Sequence, residues 1–109
     1  MARTPSVQVI EKNEGPKIDF EQSGTKLFFG DDEIMINCAK YQKDWPVGVD
    51  ICSDRYGNLT IGTESGLRYV AQIAIPEAQY EEHEEGDETI YEKLPINMGD
   101  VVLTLWSIE

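Results

Sequence analysis

The chain is poor in the residues on which most enzyme chemistry is built. It has one histidine and two cysteines in 109 residues. Two cysteines allow a single bridge at most, which is too few for a disulfide scaffold. There is no Gly-x-Ser-x-Gly elbow and no phosphate-binding or dinucleotide-binding glycine pattern, because the glycines fall singly at turns. Long apolar runs are missing as well. The longest uncharged stretches, residues 69–76 and 101–108, hold eight residues each, and a membrane-spanning helix needs about 20. Basic charge is scarce: Lys and Arg total 9 against 21 Asp and Glu, for a formal net charge of −12 and a pI near 4.3. A chain of that sign repels phosphates, which argues against direct contact with nucleic acid or an anionic membrane. Met1-Ala2-Arg3-Thr4-Pro5 lacks the apolar stretch of a secretory signal. With two strand-flanked thiols, this sets the expectation of a cytoplasmic protein.

What is present is a β pattern. Apolar residues make up 40% of the chain, enough for one core at this length. They recur with period two rather than 3.6. Ile18 and Phe20 alternate with Asp19 and Glu21, and Val47, Val49 and Ile51 with Gly48 and Asp50. Leu67, Tyr69, Ala71, Ile73 and Ile75 share a face opposite Arg68, Val70, Gln72 and Ala74. Residues 101–108 are apolar on both faces, as in a strand covered from both sides. Gln22-Ser23-Gly24-Thr25, Gly30-Asp31-Asp32-Glu33, Asp54-Arg55-Tyr56-Gly57-Asn58 and Thr63-Glu64-Ser65-Gly66 are turns between these runs. The pattern predicts an all-β fold, an antiparallel sandwich or barrel of about eight or nine short strands. Residues 1–6 read as a flexible arm and 7–109 as one domain. Leu27, Ile34, Ile36, Val49, Ile51, Leu59, Ile61, Tyr69, Ile73, Leu103 and Leu105 are the expected core, with Trp106 beside them. Alternation turns Cys38 inward and Cys52 outward.

One segment departs from this pattern. Residues 77–92 carry eight acids and no Lys or Arg, so removing them from −12 leaves −4 for everything else. Three readings of this inserted stretch, 77–93, stand open. Helix formers run from Glu77 to Glu85 between Pro76 and Gly86, but acids crowd the end where the helix dipole disfavours them. A solvated loop fits the charge. A hairpin fits the near-mirror flanks, Ile75-Pro76 against Leu94-Pro95, and would set Tyr80 opposite Tyr91 around Glu85-Gly86.

Each pattern that could carry chemistry has a plainer explanation. His83 among Glu81, Glu82, Glu84, Glu85, Asp87 and Glu88 could attract a divalent cation, yet consecutive acids on one segment do not supply the supporting partners of a defined site. Asp31-Asp32-Glu33 falls where a turn belongs, and 54–58 lacks the alternating ligands of a calcium loop. An inward Cys38 is a protonated, inert thiol. Trp45, in Lys43-Asp44-Trp45-Pro46, reads either as an exposed anchor or as a lid on the core. The functional expectation is therefore a non-enzymatic structural or protein-interaction domain, needing neither cofactor nor metal and assembling with itself or a protein partner. Its contact residues would be Tyr80, Glu81, Glu82, His83, Glu84, Glu85, Asp87, Glu88, Tyr91 and Trp45. Two alternatives are a small acidic inhibitor that imitates nucleic acid in a basic site, and a carbohydrate-binding module using Trp45 and the tyrosines. Size, acidity and strand pattern of this kind are shared by many unrelated small proteins, prophage-encoded ones among them, and a fold does not by itself fix a function.

Overall fold

A computed structural model describes residues 6–63 and 68–108. Residues 1–5 of the expected N-terminal arm, most of the turn at 63–66, and Leu67 lie outside the described residues. Ten strands occur among those described, in three sheets, none closed into a barrel. The largest sheet has five strands, in the order β1 (Gln8–Glu11), β10 (Val102–Leu105), β7 (Arg68–Ile75), β5 (Val47–Ser53), β6 (Leu59–Ile61). The second is the meander β2 (Phe20–Ser23), β3 (Lys26–Phe29), β4 (Ile34–Asn37). The third contains only β8 (Tyr80–Glu85) and β9 (Glu88–Lys93). Helix is confined to one turn, α1 (Cys38–Tyr41), and a 3-10 turn at Met98–Asp100. The all-β expectation holds in this form. The wholly antiparallel pattern does not, because β1 runs parallel to β10, with Gln8 opposite Val102 and Glu11 opposite Leu105.

The expected turns carry their own stabilising contacts. In the β5–β6 turn the Asp54 carboxylate accepts from the backbone N–H of Tyr56 at 2.8 Å and of Asn58 at 2.9 Å, while Gly57 takes a φ of 83°. That is the left-handed region that a glycine enters without a steric cost. At the end of β4, the Asn37 side chain accepts from Ala39 N and from the Thr25 hydroxyl, so the strand gives way to α1 with its first amides capped.

The five- and three-stranded sheets contribute to one core. Leu27, Phe29 and Ile36 from the meander are buried in a cluster with Val49, Ile51, Ile73, Leu103 and Leu105 from the larger sheet, and Cys38 and Met98 join it. Ile34 and Leu59 are half-buried and pack against this cluster.

Several expected positions differ, for identifiable reasons. Ile61 is exposed because β6 is a three-residue edge strand. Tyr69 is exposed because a bulge interrupts β7: Ile51 pairs with Ala71 but Cys52 pairs with Tyr69, leaving Val70 as the extra residue. A bulge reverses alternation beyond it, so Val70 is buried and Tyr69 joins the outer face. There its ring meets Trp106, with centroids 5.3 Å apart. Trp106 lies just past β10 and is half-buried, outside the core cluster. The final strand is accordingly shorter than residues 101–108; Val101, Leu103 and Leu105 are buried on one face, while on the other Thr104 is buried and Val102 and Trp106 are half-buried. Cys52 does lie on the outer face, but it is buried there, with Thr60 and Tyr69 as cross-strand neighbours.

The acidic stretch is an insertion into a sheet connection. Strands β7 and β10 are antiparallel neighbours, and the chain between them, residues 76–101, leaves the sheet, forms β8 and β9, and returns. Of the three readings of 77–93, the hairpin is the one realised.

Candidate functional site

Every residue of β8 and β9 is exposed. The ribbon therefore stands off the body rather than against it. The Cα radius of gyration is 16.5 Å, with a longest extent of 59 Å, against about 13 Å for the radius of a compact chain of this length.

The turn fixes which residues share a face. Glu85 pairs with Glu88, so Gly86 and Asp87 form a two-residue loop, with Gly86 at φ 60° and Asp87 outside the positive-φ region. Glycine in the first central position suits a type II′ turn, whose twist matches a hairpin. Centring the turn on Gly86-Asp87 shifts the register from the expected one. Tyr80 is opposite Lys93 and Tyr91 is opposite Glu82, so the two tyrosines are diagonal neighbours instead of a facing pair. One face presents Tyr80, Glu82, Glu84, Thr89, Tyr91 and Lys93. The other presents Glu81, His83, Glu85, Glu88, Ile90 and Glu92.

The second face carries like charges in direct opposition, Glu81 across from Glu92 and Glu85 across from Glu88, which weakens a ribbon. His83 sits between the first pair, its Nε2 3.2 Å from Glu92 Oε2 and 3.7 Å from Glu81 Oε2, and forms ion pairs when protonated. The structure thus brings His83 close to only two of its sequence-neighbouring or cross-strand acids. Among the described residues no group of three or more His, Cys, Asp or Glu side chains is arranged to hold a metal ion.

The root of the ribbon is tied to the loop after α1. Ala78 N donates to Lys43 O at 2.8 Å, and Leu94 N donates to Gln79 O at the same distance. The Gln42 side chain, buried at 7% exposure, donates through Nε2 to the carbonyls of Pro76 and Glu77. The Tyr80 hydroxyl donates to the Asp44 carboxylate, and this hydrogen bond, ahead of local desolvation and the charge itself, raises the phenol above its ordinary value. These contacts place Trp45, adjacent to Asp44, in the loop tied to the ribbon's root. Trp45 is 62% exposed, so it does not serve as a lid on the core. Tyr91, at 66%, is similarly open.

Gln42, Asp44, Ile90 and Leu94 belong to this region and were not singled out by sequence. The pairing of 43 with 78 is a tertiary contact with no local signature. Gln42 had no signal at all, whereas Asp44 shares a recognisable loop with Trp45. Neither thiol is poised for reaction: burial pushes Cys38 up to about 11, opposed only partly by a backbone hydrogen bond, and burial followed by the nearby Asp50 charge raises Cys52. Comparison with known proteins found no matching family model, no matching curated protein and no matching solved structure.

Proposed function

We propose that the protein is a non-enzymatic β domain that acts through protein–protein contact, with the β8–β9 arm as the contact element and a basic protein surface as the partner. The observation that carries this reading is the arm itself: a ribbon with every strand residue exposed, outside the shared core, holding most of the eight acids of residues 77–92. The connection between β7 and β10 gives Met98 and Val101 to the core, but no residue of β8 or β9 is buried, so the arm itself has no packing use. Exposed carboxylates attract basic surfaces and speed their encounter. Exposed Tyr80, Tyr91 and Trp45 offer rings to the cationic groups such a surface carries. The body behind the arm is, in this proposal, a two-sheet sandwich, a reading supported by the inward residues that the two larger sheets share. A cytoplasmic setting is part of the same proposal, and the two free thiols agree with it.

Self-assembly is the second reading. Arm-to-arm contact would set like charges together, so the surface that favours self-assembly is the outer face of the larger sheet, where Ile10 is exposed and an exposed Tyr69 packs against Trp106. Imitation of nucleic acid is a narrower form of the lead, requiring the acids to stand in for phosphates.

The test is calorimetric titration with a blocked ten-residue Lys/Arg peptide at low and physiological salt, alongside light-scattering mass. Binding should weaken with salt, because exposed charges are screened over about 8 Å at physiological ionic strength. It should weaken strongly in the variant carrying Glu81→Gln, Glu82→Gln, Glu84→Gln and Glu85→Gln. Equal binding by that variant would remove the arm from the contact. A concentration-independent dimer mass in both proteins would favour self-assembly.

A further inference from the structure

The arm's root encloses a cleft of about 270 Å³. We propose that this cleft receives one arginine side chain of the basic partner, an inference that rests on the arm reading above and names the chemistry its root would read. The volume decides first. Pockets for drug-sized ligands span about 300–1,000 Å³, so this one suits a single side chain. Its apolar walls come from Pro76, Leu94, Pro95 and Ile96, a lining that fits the methylene stem of a long cationic side chain.

The polar part of the lining is two carboxylates and the side-chain amides of Gln42, Gln79 and Asn97, with no cationic residue among them. Glu77 and Asp100 both line the cleft, and neither forms an ion pair among the described residues. Gln42 lines it too. Its Nε2 is committed to the Pro76 and Glu77 carbonyls, at 3.1 and 3.4 Å, and its Oε1 takes no hydrogen bond from any described residue. The Gln42 oxygen is an acceptor that solvent or an occupant can still reach, since no buried side-chain nitrogen or oxygen among the described residues lacks a partner. A guanidinium supplies only donors, in a planar fork that can serve several acceptors at once, whereas an ammonium acts as a point charge. Because Gln42 also holds the arm's root, an occupant bonded to it would join the partner to the hinge of the ribbon as well as to its acidic length.

The experiment is a heteronuclear NMR titration of the full chain at physiological salt. The probes are acetyl-Gly-Arg-Gly-amide and its lysine and citrulline counterparts. The arginine peptide should shift the Gln42 side-chain amide and the backbone amides of Leu94, Ile96 and Asn97. Combining Glu77→Gln with Asp100→Asn should weaken that binding by at least about fivefold, as expected when charge-assisted hydrogen bonds are lost. The four-Glu arm variant should change it less than that double substitution does, because none of its four residues lines the cleft. Absent shifts at the cleft, or equal binding of the neutral citrulline peptide, would overturn the proposal. Equal binding of the lysine peptide would overturn the choice of arginine. Loss of the arm reading is distinguishable, because the four-Glu variant leaves every cleft-lining residue unchanged: equal binding of the ten-residue peptide by that variant would remove the arm while the arginine-peptide shifts at the cleft still stood.

Discussion

Excising the arm should leave the body folded. The perturbation is removal of residues 80–93 and closure with an Asn-Gly turn, which is feasible because Gln79 and Leu94 already face each other across a 2.8 Å backbone hydrogen bond. No side chain in the excised stretch is buried, so there is no cavity and no lost apolar transfer. The Tyr80–Asp44 hydrogen bond disappears, but so do the opposed pairs Glu81–Glu92 and Glu85–Glu88. The connection of 76–101 is roughly halved, and loop-closure entropy favours the shorter chain by about 0.6 kcal/mol per halving. With other surface changes worth about ±0.5 kcal/mol, the net effect stays near 1 kcal/mol, and Tm should move by less than about 8 °C. Thermal unfolding followed by circular dichroism measures this. Retained amide dispersion for the core strands would confirm that the same fold survives. A fall in Tm beyond about 15 °C, or collapse of the dispersion, would show that the arm is part of the cooperative core and would refute the reasoning.

Core truncation should behave in the opposite way. Leu103→Ala, at a residue with no exposure, should cost about 2–5 kcal/mol through lost transfer and an unfilled cavity, read as a lowered urea midpoint with an unchanged slope. Both thiols should react slowly with a thiol reagent in the native state, since Cys38 and Cys52 are both buried. Cys38 titrates in the folded chain near 11 against an ordinary 9.0, so the folded state holds its proton longer. The stability this contributes is complete below about pH 9 and is lost as pH rises toward 11; a Cys38→Ala variant should show a shallower loss over that range. Tyr80 should titrate above its ordinary 10.0 in an ultraviolet difference titration, because ionising it breaks the bond to Asp44. Asp44→Ala should bring it down, and Tyr80→Phe should identify the affected phenol.

Sequence by itself determined the strand pattern, the turns and the isolation of the acidic segment. These are local matters. Period-two alternation follows from the pleat, and the conformations at Gly57 and Gly86 follow from turn geometry that few other residues tolerate. That residues 77–92 could not bury themselves was legible from charge alone. Their register was not, because Glu85-Gly86 and Gly86-Asp87 are both plausible turn centres and only backbone twist selects the second. Tertiary structure decided the rest. The bulge at Val70 exists because β5 and β7 meet in one register, and it moved Tyr69 from the core to the outer face. The parallel pairing of β1 with β10 joins segments far apart in the chain, which no local pattern encodes. Gln42 acquired its role through contacts with the carbonyls of Pro76 and Glu77, more than thirty residues away. A buried glutamine that ties the root of an exposed arm is visible only once the chain has brought those carbonyls to it, because its side chain has no meaning in sequence beyond being polar.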